Sequence, residues 1–329
     1  MNKKRIAVAI LIVLLSITLL QIDRESLIYS LRKIPVWLII LLGILQIITQ
    51  LLLNLQWYCI SRLAKSPLTF KKMLYINCQG AVVDGIALGV KFGGEVTRAL
   101  QISRIGKLPS DQSAAIVAMQ KMFSLSALFI ILVFVVGYLV GQVPFLQAGF
   151  LQFIIYCILS LFLAVFVGIF SMPDTILRLL QKRTPQRLWD CKVHCFMLTL
   201  LEQVKGVRKN KLALIMLFLL SLFIWLLYPV KMYILATYFY PSIHVIYIGA
   251  ITFAAYMVAM LPIFPGGLGG FEGAMSGLLV SVGYAISDAA TMTIIFRFIT
   301  FWFVMLMSML FIALCKARNN SKKKIRRIT

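Results

Sequence analysis

Between Leu212 and Tyr240 the chain carries a single charged side chain, Lys231, in a run of aliphatic and aromatic residues. Such a run is longer than the roughly 20 apolar residues needed to cross the ~30 Å hydrocarbon core of a bilayer. Further apolar runs lie at 6–22, 35–60, 113–140, 148–170, 244–262 and 289–315. Hydrophobic residues make up 61% of the 329 residues, charged residues 13%, and the mean hydropathy is +0.96. A soluble domain of this size cannot hide that much apolar surface, so lipid is the solvent for most of the chain. A soluble enzyme and a disordered chain are both excluded. The first run, after Lys3, Lys4 and Arg5, is not closed by a small-x-small cleavage site and reads as an uncleaved first span.

The 33 Lys and Arg against 10 Asp and Glu give a formal net charge of +23. On a soluble protein that balance points to nucleic acid. Here the basic residues sit in short connections and at both ends, which is the positive-inside bias of a polytopic membrane protein, and no nucleic-acid partner is expected. The loop 61–72 carries Arg62, Lys65, Lys71 and Lys72 with no acid, and 171–211 carries nine basic residues against three acidic ones. The tail 316–329 has only basic charges. These segments are expected in the cytoplasm, together with both termini. The uncharged connection 141–147 and the turn at Pro241 are expected outside. Arg178, Lys182, Arg183 and Arg187 lie on an amphipathic stretch suited to anionic headgroups. Lys231 is expected to snorkel to the outer interface.

Two apolar stretches, 70–92 and 265–287, are broken by glycines and acidic residues. Residue 72 is inside and the span 113–140 also starts inside, so the chain between them enters the membrane and returns, with 96–110 as a short polar return leg. The second stretch follows Pro262-Ile263-Phe264-Pro265-Gly266-Gly267-Leu268-Gly269-Gly270-Phe271-Glu272, which no regular helix accommodates. Only 273–284 is left for a helix, about 18 Å long. Non-helical backbone at this depth is tolerated only where it is buried in protein or lines a polar cavity.

The two broken stretches resemble each other. Gly93-Gly94-Glu95 matches Gly269-Gly270-Phe271-Glu272. Each is followed by a short amphipathic helix, a Ser-Asp pair (Ser110-Asp111, Ser287-Asp288) and a long apolar helix bearing one cation, Lys121 or Arg297. The charge topology gives the two copies, about 70–140 and 246–316, opposite orientations, as in the inverted repeats of secondary transporters. Chance likeness between apolar sequences is the alternative. The expected fold is one all-α polytopic membrane domain, residues 1–329, with about seven full transmembrane helices plus two broken or re-entrant helical hairpins in an inverted repeat.

Acidic residues are scarce, and Asp84, Glu95 and Glu272 lie in these apolar or broken stretches. A charge at the centre of a membrane helix costs about 2.5–3.5 kcal/mol on insertion scales, so such groups face a cavity or a partner. Glu95 and Arg98 share a helix face at i, i+3, and Glu272 is placed to pair with Arg297. Structural ion pairs that lock the broken helices are one reading; substrate or proton handling is another, and the two are compatible. Helix N-termini near Val96 and Gly273 present backbone N–H groups suited to an anion, although Glu95 and Glu272 at the same ends are suited to capping them. Asp84 reads equally as a functional acid or as a partner for Lys91. The six cysteines show no disulfide framework, and Cys191, His194 and Cys195 lack a fourth ligand, so they read as an ordinary loop with no metal. No cofactor or catalytic fingerprint is present, and no soluble catalytic domain is expected beyond the short tail.

The segments Lys91-Phe92-Gly93-Gly94-Glu95-Val96-Thr97-Arg98 and Pro262 to Glu272, with Lys121 and Arg297 after them, resemble the lysylphosphatidylglycerol synthase transmembrane region, also called the flippase-like domain family, over about residues 5–316. The resemblance implies a polytopic inner-membrane domain that handles lipid and lacks the soluble aminoacyl-transferase part, so synthase activity is not implied. It implies translocation of an anionic phospholipid or polyprenyl-phosphate lipid between leaflets. In that reading Arg98, Lys121 and Arg297 hold the phosphate at the repeat interface, and Gly93, Gly94, Gly269 and Gly270 shape the site. Glu95 and Glu272 pair with the cations when the site is empty or, with Asp84, carry a proton. The alternative is a non-transporting partner that presents lipid to a separate glycosyltransferase or lipid-modifying enzyme. An integral membrane enzyme acting on a lipid phosphate is the third reading, and it lacks a nucleophile or metal cluster.

Overall fold

The computed structural model of the protein describes residues 29–30, 32–86, 93–140, 149–182, 188–241, 244–260 and 267–325. Among these residues every regular element is helical. In chain order they are α1 (Val36–Leu63), α2 (Phe70–Ile86), α3 (Gly93–Gly106), α4 (Ser110–Val140), α5 (Gly149–Ser171) and α6 (Pro173–Gln181). There follow α7 (Leu188–Arg208), α8 (Lys211–Phe239), α9 (Val245–Met260), α10 (Gly270–Ser281), α11 (Ile286–Arg297) and α12 (Phe303–Ile325), with a π-helical turn, Phe298–Trp302, joining the last two. The run 6–22, Lys3, Lys4, Arg5, Lys91, the connection 141–147, Arg183, Arg187 and the break from Pro262 to Gly266 lie outside the described residues.

Among the described residues four helices are long and apolar enough to cross a membrane: Val36–Leu63, Ser110–Tyr138, Lys211–Phe239 and Ile286–Arg318. A fifth candidate is Tyr156–Ser171 taken with Pro173–Gln181, bent by 84°. The bend has a local cause: Pro173 brings no N–H to continue the helix and disfavours helical geometry at the preceding Met172, which sits at φ −126° and ψ 43°. The described residues thus supply four or five of the seven full spans expected. Within the described residues the run 244–262 forms the 16-residue α9, about 24 Å at 1.5 Å per residue.

Helix ends follow from local chemistry. α1 stops where Lys65 takes a left-handed conformation (φ 57°), the Ser66 N–H bonds the Ser61 carbonyl at 2.9 Å, and Pro67 follows. α3 stops the same way at Lys107 (φ 51°), with the Leu108 N–H on the Ser103 carbonyl at 3.1 Å and Pro109 next. α10 ends on Gly283 (φ 102°), with the Tyr284 N–H on the Leu279 carbonyl at 3.2 Å.

The basic segment 171–211, expected as a loop, folds into α6 and α7. Pro173 occupies the first helical turn of α6, and Asp174 lies in that same turn. Asp174 pairs with Lys205 at 2.6 Å and Arg208 at 3.9 Å on α7. His194 Nε2 meets the Leu180 carbonyl at 2.8 Å. Cys191, His194 and Cys195 therefore lie on a helix rather than in a loop. No group of three or more metal-binding side chains occurs among the described residues.

The hydrogen bond from Lys205 holds the Asp174 carboxyl below the usual carboxylate range. A depressed carboxyl contributes above its unfolded value, and the contribution is lost as pH falls through the folded one. Amide hydrogen exchange in α6, corrected for intrinsic rates, is expected to rise below about pH 4. Asp174→Asn is expected to flatten that dependence; an unchanged profile in the variant would assign the rise to another group.

The chain divides into two compact units. One is built from the described parts of 1–48, 85–91 and 227–305. Its core gathers Leu38 and Leu42 of α1, Met232 and Leu235 of α8, Ile248 and Ala255 of α9, Phe271 and Met275 of α10, and Phe296 of α11. Lys231 of α8 lies in this unit and is 0% exposed, so it does not snorkel. Its ammonium donates to the Gln46 amide oxygen and lies 4.4 Å from the centre of the Tyr228 ring, and these interior partners substitute for headgroup water.

The other unit comprises 49–84, 92–226 and the described part of 306–329. Its core joins Trp57 and Ile60 of α1, Met73 and Ile76 of α2, Ile102 of α3, Ile116 and Phe123 of α4, Val204 of α7 and Leu217 of α8. Buried polar side chains cross-link its helices: Gln120 Nε2 donates to Gln56 Oε1 at 3.1 Å, and Gln56 Nε2 donates to Ser221 Oγ. Asn77 donates to Asn54 Oδ1 at 2.8 Å. In an apolar solvent each such group requires an internal partner.

Candidate functional site

Each unit contains a carboxylate–cation cluster at the N-terminus of a short helix. In the 49–84, 92–226 unit, Asp84 lies near the end of α2, Glu95 is the third residue of α3, Arg98 lies one turn further on, and Lys121 lies about three turns into α4. Asp84 Oδ1 accepts the Gly94 N–H at 3.0 Å, and Asp84 Oδ2 accepts from Arg98 Nη1 at 3.1 Å. Glu95 Oε1 accepts from Arg98 Nη1 at 2.9 Å and from Lys121 Nζ at 2.6 Å. Two carboxylates thus balance two cations.

Two glycines make this approach geometrically feasible. A Cβ on Gly94 would stand 2.2 Å from the Asp84 carboxylate, and one on Gly80 would stand 2.6 Å from Arg98 Nε. The Trp57 ring closes the other side, with its centre 5.7 Å from the guanidinium carbon. The Arg98 side chain is 10% exposed, whereas that of Lys121 is 45% exposed.

In the other unit, Gly269 (φ 81°) precedes α10, and Glu272 is its third residue. Glu272 Oε2 accepts the Gly269 N–H at 2.7 Å, the half of a capping box that needs no side chain from the cap residue. Glu272 Oε1 lies 3.1 Å from Arg297 Nε. The guanidinium sits between two aromatic rings, 4.9 Å from the centre of Phe271 and 4.4 Å from that of Phe301. Phe301 belongs to the π-helical turn that follows Arg297, a distortion often found at functional sites. Phe271 also stacks on Phe296 at 6.0 Å.

The helices expected to begin near Val96 and Gly273 begin three residues earlier, at Gly93 and Gly270. The shift places both glutamates at the third helical position, where a carboxylate faces the open N–H groups. Gly93, Gly94 and Gly270 are therefore first-turn residues, and Gly269 is the cap. Asp84 pairs with Arg98, a partner not expected from the sequence, and Lys91, the expected one, lies outside the described residues. At these helix N-termini the Gly94 and Gly269 N–H groups donate to Asp84 and Glu272. Trp57, Gly80 and Phe301 were not marked by the sequence; Trp57 and Gly80 reach the Arg98 cluster through the tertiary fold, and Phe301 lies four residues beyond Arg297.

Long apolar helices, ion pairs at the N-termini of short helices and basic segments together define a multi-pass α-helical membrane protein. The chain belongs to the family described as the lysylphosphatidylglycerol synthase TM region, whose model matches residues 5–308. It is 20% identical over 314 residues to a UPF0104 membrane protein of Methanothermobacter thermautotrophicus, covering 92% of this chain and 93% of that one. It is 25% identical over 145 residues to a UPF0104 membrane protein of Methanocaldococcus jannaschii, covering 44% of this chain and 40% of that one.

Proposed function

We propose that the protein binds the phosphate of an anionic phospholipid or a polyprenyl-phosphate lipid and moves that lipid between leaflets without covalent chemistry. The observation that carries this reading is the pair of buried arginines, Arg98 and Arg297, each paired with the protein's own carboxylates at the N-terminus of a short helix. A guanidinium matches phosphate geometry, and a carboxylate on it holds the place of an anion. Lys121, half exposed, is the cation an incoming headgroup reaches with least rearrangement. Family membership in a membrane region named for a lipid synthase supports a lipid as the cargo. In this reading the chain lies in the cytoplasmic (inner) membrane with the basic segments and both termini in the cytoplasm, has about seven spans, and repeats one unit at about 70–140 and 246–316.

The test is lipid movement in proteoliposomes, using a fluorescent phosphatidylglycerol and a short-chain polyprenyl phosphate. The wild type is expected to move at least one of them. Glu272→Gln and Arg297→Ala, folded to the same extent, are expected to slow movement by about tenfold or more, the equivalent of ~1.4 kcal/mol. Absence of movement for either lipid, under an imposed ion gradient, would overturn translocation and favour presentation of lipid to a separate glycosyltransferase or lipid-modifying enzyme.

A further inference from the structure

The two clusters differ in one respect that bears on how an anion is admitted. In the Arg297 cluster both oxygens of Glu272 are engaged, one by Arg297 and the other by the Gly269 N–H. In the Arg98 cluster the corresponding capping task has passed to Asp84, which takes the Gly94 N–H. Asp84 is thereby engaged through both oxygens. Glu95 is relieved of capping. Its Oε1 takes both cations, while its Oε2 is buried with no hydrogen-bond partner among the described residues.

A buried carboxylate oxygen without a donor is costly, and a proton on it removes the cost. Charge balance points the same way. Among the described residues the charged groups facing Glu95 are Asp84 from α2, Arg98 from its own helix and Lys121 from α4, and with Glu95 ionised that set is neutral. A phosphodiester entering a neutral, largely buried set leaves one uncompensated negative charge. A proton taken up at the same time restores neutrality.

We infer that Glu95 is the proton acceptor of the site, taking one proton on Oε2 for each lipid phosphate bound. The step forms one O–H bond on the carboxylate, with the proton drawn from the aqueous phase, and no other covalent bond changes. The protonated carboxyl holds Lys121 more weakly, and the half-exposed ammonium turns to the phosphate. Arg98 keeps its contact with Asp84 and turns to the phosphate the bond it gave to Glu95. The consequence is electroneutral coupling: one proton accompanies one singly charged headgroup. Glu272, locked by its cap, takes no part in proton uptake.

The assignment rests on the phosphate-binding reading, and the experiment separates the two. Dihexanoyl phosphatidylglycerol is titrated into the purified full-length protein in detergent at pH 7, by calorimetry in two buffers of different ionisation enthalpy. The buffer dependence of the heat counts protons exchanged. The wild type is expected to take up about one proton per lipid bound. Glu95→Gln, which mimics the protonated acid, is expected to bind with uptake near zero. Glu272→Gln is expected to retain uptake. If Glu95→Gln does not fold, Asp84→Asn decides: it is expected to keep proton uptake, and its loss there would move the proton to Asp84. Wild-type binding without uptake, or uptake that survives Glu95→Gln, overturns the assignment while leaving the phosphate site standing. Absence of binding by the wild type overturns the phosphate site and this assignment with it.

Discussion

Arg98→Leu is expected to destabilise the protein by about 3–5 kcal/mol, the usual cost of removing one partner from a buried ion pair. The guanidinium is the shared counter-ion of Asp84 and Glu95, at 3.1 and 2.9 Å. Without it two carboxylates face a single ammonium, Lys121, which is half exposed. Packing is lost too, because the same side chain fills the space between Trp57 and Gly80. Lys121→Gln is the informative comparison. It leaves Glu95 paired with Arg98 and removes a cation that solvent reaches, so about 1 kcal/mol or less is expected. The triple variant Asp84→Asn/Glu95→Gln/Arg98→Leu is expected to regain most of the loss, since a neutral cluster carries no buried unpaired charge. Thermal unfolding in detergent reads all three. If Arg98→Leu proves as mild as Lys121→Gln, the guanidinium is not a buried counter-ion and the cluster is a surface feature.

The sequence made the long apolar helices legible because the period of burial hardly matters when lipid is the solvent. The run 212–240 became Lys211–Phe239, and 113–140 became Ser110–Val140. The second grew at its start because Ser110 and Asp111 are polar yet suit a first helical turn, where Asp111 also accepts from Thr199 Oγ1 at 2.8 Å. What hydropathy could not reveal was structure in the charged segments. α6 and α7 are amphipathic and basic, so charge counting read them as a loop. Lys231 was placed at an interface because a cation in an apolar run has a headgroup as its ordinary partner; its actual partners, Gln46 and Tyr228, come from packing.

The clusters were partly legible for a related reason. Acids are rare in this chain, and the pairs Glu95 with Arg98 and Glu272 with Arg297 follow from helical spacing and from the likeness of the two glycine-rich stretches. Asp84 was singled out but not its role, because the helix N-terminus it caps lies 10 residues further on. Trp57 looked like any other interfacial aromatic, and Gly80 like any small residue in a helix.

Those close approaches yield the second large effect, the contrast between Gly94→Ala and Gly273→Ala. Both glycines lie in the first turns of short helices, α3 and α10, where alanine has the better intrinsic propensity. A Cβ on Gly273 meets nothing within 4 Å. That substitution is expected to be neutral or to stabilise by about 0.5–1 kcal/mol, from the lost freedom of the unfolded chain. A Cβ on Gly94 falls 2.2 Å from three atoms of the Asp84 carboxylate. The carboxylate has to leave, and with it go the bond from the Gly94 N–H and the bond from Arg98. Charge-assisted hydrogen bonds of this kind contribute about 1.5–3 kcal/mol each, and overpacking adds a further 1–3. Gly94→Ala is therefore expected to cost about 3 kcal/mol or more. Asp84→Ala in the same chain makes the room the methyl needs, so the double variant is expected to lose less than the sum of the two single losses. The measurement is a double-mutant cycle on thermal midpoints in detergent. Strict additivity would mean that Gly94 and Asp84 do not touch, and the capping of α3 by Asp84 would fall with it.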